Sequence, residues 1–157
     1  MAAFGDDPEE RLRDEDWDHA LGGVHVIAED DGTVVAHAAV VERTIEVAGT
    51  PLRTGYVEAV AVLAERRREG LGRRVMDHAA DIIRAEFELG MLGTGVQSFY
   101  ERLGWRIWRG PSGIRTEHGL ELTPDEDGYL MVLDTPRTPA LDPGAVITCE
   151  WRRGDSW

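Results

Sequence analysis

The sequence is poor in cysteine, poor in positive charge and free of long apolar runs. Cys149 is the only cysteine, so no disulfide can close within the chain, and the expected compartment is a reducing cytoplasm. No apolar run approaches the roughly 18 residues that span a bilayer, and the opening MAAFGDDPEERLR lacks the apolar core of a secretory signal. No membrane association is therefore expected. Seventeen basic residues stand against thirty acidic ones, and the formal net charge of -13 argues against a nucleic-acid partner. His19, His25, His37, His78 and His118 fall in no HExxH or close Cys/His spacing, so no metal is expected. There is no G-x-S-x-G elbow, and Cys149 has no evident histidine partner, so it reads as a small core residue.

What is present suits one ordinary globular domain over residues 1–157, with 1–13 poorly defined: 42% of residues are apolar and 7% aromatic. A short helix is expected at 15–21, capped by Asp14 and stopped by Gly22-Gly23. Strands follow at 24–28, 33–47 and 52–63, joined by the hairpin signal Asp30-Asp31-Gly32 and the turn Ala48-Gly49-Thr50-Pro51. The period then changes. Leu71, Val75, Ala79, Ile82, Ile83 and Phe87 recur at helical spacing, which predicts a helix over 70–88. A brief strand at 89–92, a helix at 96–103 ended by Gly104, and strands at 105–108, 129–133 and 145–151 complete the reading. Asp125-Glu126-Asp127-Gly128 reads as a hairpin turn, since a calcium loop would need a closing glutamate. This order gives an α+β fold, or mixed α/β sheet.

Against the acidic background, Arg66, Arg67, Arg68, Arg73 and Arg74 form the densest positive patch, which points to an anionic ligand. They flank Gly70 and Gly72 between a strand and the long helix. A helix start offers amides without intrahelical partners and about half a positive charge, and glycines let a pyrophosphate approach the backbone. A generic glycine-containing turn would look similar. Its position after an alternating strand favours the ligand site.

The segment Arg67-x-x-Gly70-x-Gly72 resembles the cofactor motif of the GNAT acetyltransferase superfamily. QSFYERLGW, residues 97–105, resembles that superfamily's later helix, which carries a tyrosine and ends at Gly-Trp. DEDWDHALGGVHV, AHAAVVER, GYVEAVAV and the ending Cys149-x-Trp151-Arg152-x-Gly154-Asp155-x-Trp157 are similar to the aminoglycoside 2′-N-acetyltransferases. The likeness runs from Asp14 to Trp157. It implies acetyl-CoA as cosubstrate, a cationic aminoglycoside as partner, a GNAT sheet that is mostly antiparallel and flanked by helices, and a homodimer. The family ordinarily has a strand and a helix earlier; residues 1–13 are too short and polar to supply both, so the expectation is either that the true start lies upstream or that the first strand and helix, with part of the cleft wall, are missing.

The resemblance implies roles for particular residues. Val60, Val62, Arg67, Arg68, Gly70, Gly72 and Arg73 would bind the cofactor. Glu58 would accept the substrate ammonium's proton through water, and Tyr100 would protonate the leaving thiolate. Asp16, Glu58, Ala59, Glu126, Asp155 and Trp157 would contact substrate, several carboxylates together meeting several ammonium groups. Taken alone, Glu58 could be an exposed strand carboxylate, and Tyr100 a core aromatic. Two other readings stay open: a GNAT enzyme for another amine, and a truncated acyl-CoA-binding remnant without catalysis.

Overall fold

The computed structural model describes residues 18–157. The expected helix at 15–21 lies partly outside them; residues 18–20 are helical, and Gly23 N donates to Ala20 O at 3.2 Å as the turn closes. Strands β1 (Val24–Asp30), β2 (Thr33–Val47) and β3 (Thr50–Val62) form an antiparallel meander. Its turns are Asp31-Gly32, with φ of 47° and 80°, and Ala48-Gly49, with φ of 50° and 78°. Two successive left-handed residues match the right-handed twist of a tight hairpin. Helix α1 (Leu71–Glu86) then crosses to β4 (Leu89–Gly93), which runs parallel to β3. After α2 (Gln97–Glu101) come β5 (Arg106–Ile107), β6 (Ser112–Thr116), β7 (Gly119–Leu122), β8 (Leu130–Asp134) and β9 (Ile147–Glu150). The sheet order is β5-β8-β4-β3-β2-β9-β6-β7, and β1 shares one edge of β2 with β9. Among the described residues no helix is long and apolar enough to cross a membrane.

Two differences from the sequence reading lie after residue 111. The hairpin β6–β7 carries few apolar residues, SGIRT and GLEL, and β7 is exposed along its length, so periodicity had nothing to report. The segment 125–128 is not a hairpin turn. Strand β7 pairs with β6, whereas β8 pairs with β4 and β5, so this segment joins distant parts of the sheet through a 3-10 turn at Pro124–Glu126.

The sheet has a core on each face. Leu71, Val75, Met76, Ala79, Ala80 and Ile83 give α1 one apolar side, packed against Val40, Val57 and Leu92. Contact is closest where Gly55 of β3 pairs with Gly90 of β4. A Cβ at Gly55 would stand 2.8 Å from Ile83 Cγ1, and one at Gly90 would stand 2.9 Å from Ile83 Cγ2. The paired glycines make the recess that Ile83 fills. On the other face Ile45, Tyr56, Met91, Trp108, Leu130, Ile147 and Cys149 are buried with Trp157 of the C-terminal tail.

Arg43 brings the tail there. Its side chain is only 3% exposed. Nε donates to Glu150 Oε1 at 3.0 Å, Nη2 to Glu150 O at 3.1 Å and Nη1 to Ser156 O at 2.8 Å. The Cys149 thiol also donates to Ser156 O, at 3.2 Å, and burial pushes its pKa up to about 11. Cys149 is a core residue that stays protonated. Removing Arg43 strands buried carbonyls, so Arg43→Met is expected to cost about 3 kcal/mol, roughly 6–12 °C in Tm. Thermal unfolding checks this; an unchanged melt would show that the tail holds by packing alone.

Candidate active site

The site begins with an irregularity in β3. Ala39 of β2 faces Glu58, but His37 faces Ala61, so β3 has one residue more than β2 between these pairs. The excess is taken up at Ala59, whose φ of 52° lies in the left-handed region. A non-glycine residue there needs support. His37 Nδ1 donates to Ala59 O at 2.8 Å, the one arrangement a carbonyl allows, and His25 Nδ1 lies 2.8 Å from His37 Nε2. Burial lowers the His37 pKa, favouring the neutral ring.

Beyond this point β3 and β4 part. Their last ladder pair is Tyr56–Met91, and among the described residues no strand pairs with the β4 side of 57–62. Buried backbone amides and carbonyls need partners, so the opening is suited to an extended ligand that lies along β3 like a missing strand. A cleft of about 190 Å³ forms there, lined by Tyr56, Glu58, Ala59, Val60, Gly93, Tyr100 and Trp157 among others.

The expected cofactor residues lie along one path from this cleft. Val60 lines it and Val62 ends β3. A Cβ at Gly72 would stand 3.4 Å from Val62 Cγ2 and 3.6 Å from Phe99 Cζ, ordinary contact distances, so Gly72 faces β3 and α2 across the start of α1. Gly70 precedes α1 with φ 77° and has open space beside it; Arg68 is also left-handed, with φ 68°. Arg74 N donates to Gly70 O at 3.1 Å, so the amides of residues 71–73 precede the helical ladder. Arg67, Arg68 and Arg73 are exposed around that end. Arg66 is already paired, with Asp30 at 2.7 Å and Glu69 at 2.9 Å.

Glu58 is not an exposed strand carboxylate: its side chain is 12% exposed. Burial pushes its carboxyl above the usual range, and Arg152 beside it pulls the other way. Tyr100 packs edge-on against Phe99 at 4.9 Å and Trp105 at 6.4 Å, and burial raises its phenol to about 12. It stays a neutral phenol at ordinary pH.

The tail completes the wall. Trp157 is buried, and its indole Nε1 donates to Thr123 Oγ1 at 3.1 Å, while Asp155 Oδ1 accepts from Trp157 N at 3.1 Å. Glu126 is near: burial first, then the charges of Asp155 and Asp125, push its carboxyl up. Glu58, Ala59 and Trp157 thus line one cleft; Glu126 and Asp155 lie near each other but are not among its lining residues, and Asp16 lies outside the described residues. Sequence reasoning gave no role to Arg43, His37, Tyr56 or Arg152. Each acts through contacts between distant segments, and nothing local marks them.

Comparison with known proteins agrees with this geometry. The acetyltransferase (GNAT) domain family matches residues 1–108. An aminoglycoside 2′-N-acetyltransferase of Mycolicibacterium fortuitum is 43% identical over 148 residues, 92% of this chain and 76% of that protein. Among solved structures, the GNAT family N-acetyltransferase YhbS of Escherichia coli in complex with CoA aligns with TM-score 0.57 at 16% identity, covering 80% of this chain and 66% of that one. A GNAT family acetyltransferase of Brucella melitensis in complex with acetyl-CoA aligns with TM-score 0.50 at 22% identity, covering 75% of this chain and 62% of that one. The chain therefore spans less than two thirds of the length of either structure, and these two speak for the fold. With the family match and the 43% identical relative, the parted strands, the glycine-rich helix start and the buried carboxylate–tyrosine cleft have one explanation: the chain belongs to the GNAT acetyltransferase family.

Proposed function

We propose that this chain, acting as one GNAT domain, moves the acetyl group of acetyl-CoA to the 2′-amine of aminoglycosides by direct attack in a ternary complex. The observation that carries the reading is the cleft where Glu58, Tyr100 and Trp157 meet at the opening of β3 and β4. The 43% identical relative bears that activity in its name. Acetylation would remove a positive charge from the drug and confer resistance.

The residues divide the work. The amides of residues 71–73, with Gly70 and Gly72 keeping the approach clear and Arg67, Arg68 and Arg73 around them, hold the pyrophosphate. Val60 and Val62 offer backbone to the pantetheine arm and the acetyl carbonyl, where an amide also stabilises the oxyanion. Glu58 takes the ammonium proton through water; the freed nitrogen bonds to the acetyl carbon, the carbon–sulfur bond breaks, and Tyr100 gives its proton to the thiolate, after which the new amide nitrogen loses its second proton to water, from which the Tyr100 phenolate is reprotonated. A raised carboxyl pKa suits a base working near neutral pH, and a phenol that stays neutral suits an acid. Glu126, Asp155, the Trp157 carboxylate and Asp16 meet the other ammonium groups. Exposed Leu120, Leu122 and Trp151 support a homodimer, and the buried free thiol suits the cytoplasm.

Thiol release with acetyl-CoA is expected with aminoglycosides bearing a 2′-amine and not with 2′-hydroxy analogues. Turnover on both would move the reaction to another amine, and a thermal shift with acetyl-CoA but no turnover would favour a disabled remnant. Glu58→Gln should lower kcat/KM about 100-fold at low pH and less at high pH, where the amine is already neutral. Tyr100→Phe should lower kcat about tenfold or more with acetyl-CoA affinity nearly unchanged. Wild-type rates in both would remove these roles, and an acetyl-enzyme forming and decaying at the turnover rate would replace direct attack.

A further inference from the structure

The guanidinium nearest Glu58 comes from the tail. Arg152 Nη1 stands 2.6 Å from Glu58 Oε1, close as an ion pair but off the line of a hydrogen bond. The two side chains are 17% and 12% exposed, so neither charge is well served by water. The rest of the guanidinium is fixed by the tail itself: Nε donates to Asp155 O at 2.8 Å and Nη2 to Trp157 O at 3.4 Å. Its plane lies over the Tyr56 ring, with Cζ 5.7 Å from the centroid, while Arg43 Cζ lies 4.8 Å from the same centroid. Among the described residues no group hydrogen-bonds the Tyr56 hydroxyl. An arginine held at two points by its own segment and set over the Tyr56 ring is an oriented group.

We propose that Arg152 is a positioning residue for the transfer: closed with the tail, its guanidinium holds the buried Glu58 carboxylate in place and in its acceptor form. This rests on the reading of Glu58 as the proton acceptor. A carboxylate with side-chain exposure this low would otherwise meet the reaction protonated or turned away, because burial disfavours its charged form. An opposite charge at 2.6 Å counters that. Other groups facing Glu58 cannot replace it. His19, at the end of the N-terminal helical turn, is committed to Arg153 O at 2.8 Å, and Arg43 on β2 to Glu150 and Ser156. His37, also on β2, is bonded to Ala59 O; Tyr56 on β3 and Tyr100 on α2 are neutral phenols; Asp155 and the Trp157 carboxylate carry the wrong sign. The base is thus assembled across two distant segments and requires the tail to be closed.

The test follows the Glu58 carboxyl by carbon-13 NMR during a pH titration of the full chain, with Glu58→Gln assigning the signal, beside pH–rate profiles with acetyl-CoA and a 2′-amino aminoglycoside. In Arg152→Gln the Glu58 midpoint should rise by about one pH unit, a tenfold change in its acid constant. The rate should fall about tenfold at pH values below both midpoints and recover above them, with the KM for acetyl-CoA unchanged. Arg152→Lys, which restores the charge, should return both readouts toward wild type. An unmoved Glu58 titration, or a loss of rate equal at every pH, overturns the role of Arg152 while an inactive Glu58→Gln leaves the base assignment intact. Wild-type activity in Glu58→Gln overturns the base assignment and this role with it. If Arg152→Gln does not fold, Arg152→Lys decides: a wild-type Glu58 titration supports the charge, and a titration raised despite the lysine overturns it.

Discussion

The grip of Arg43 on the last turn of the chain is the constraint on which the site depends. Three donors of one buried guanidinium meet two residues of the tail, fixing Glu150 and Ser156 in the same place. Everything functional that the tail contributes lies within six residues of one or other anchor: Arg152 beside Glu58, Asp155 near Glu126, and Trp157 in the cleft wall. A surface ion pair would be a poor device for this, since such pairs contribute little and hold nothing still. A buried arginine with carbonyl partners is different, because opening it abandons several polar groups at once.

The opposite face solves a separate problem, that of parting two strands without losing the sheet. Strands β3 and β4 are held together at Gly55–Gly90, where Ile83 is seated, and diverge just beyond Tyr56–Met91. The helix that supplies Ile83 begins after the left-handed Gly70, and the amides of residues 71–73 precede its hydrogen-bond ladder. Packing at one end of α1 and these leading amides at the other belong to one rigid element, so under the proposed function a pyrophosphate held at its start would be registered against the strands below its end.

How much of this could be read from the sequence depended on range. The meander, the long helix and the parallel strand after it rest on local periodicity and on turns whose chemistry is unambiguous, as at Asp31-Gly32, and they were legible to within about two residues. The glycines of the helix start were legible because their use is local. The β6–β7 hairpin was not, for it is short, polar and stabilised by pairing with β9 rather than by burial of its own side chains. Among the proposed site residues, Glu58 and Tyr100 were reached through resemblance alone, and their burial, which raises both pKa values, was not legible in the sequence. Arg152 was visible only as a letter in the terminal motif. Its meaning lies in a contact with a strand far away in sequence, and no periodicity encodes such a contact.

The left-handed turn of Ala59 has a thermodynamic side. A residue with a Cβ in that conformation costs about 1–2 kcal/mol, and a buried hydrogen bond such as the one from His37 contributes about 1 kcal/mol. The two nearly cancel, so the bulge can persist in the free protein. The gap between the strands is then preorganised, and ligand affinity is not spent on prising a continuous sheet apart.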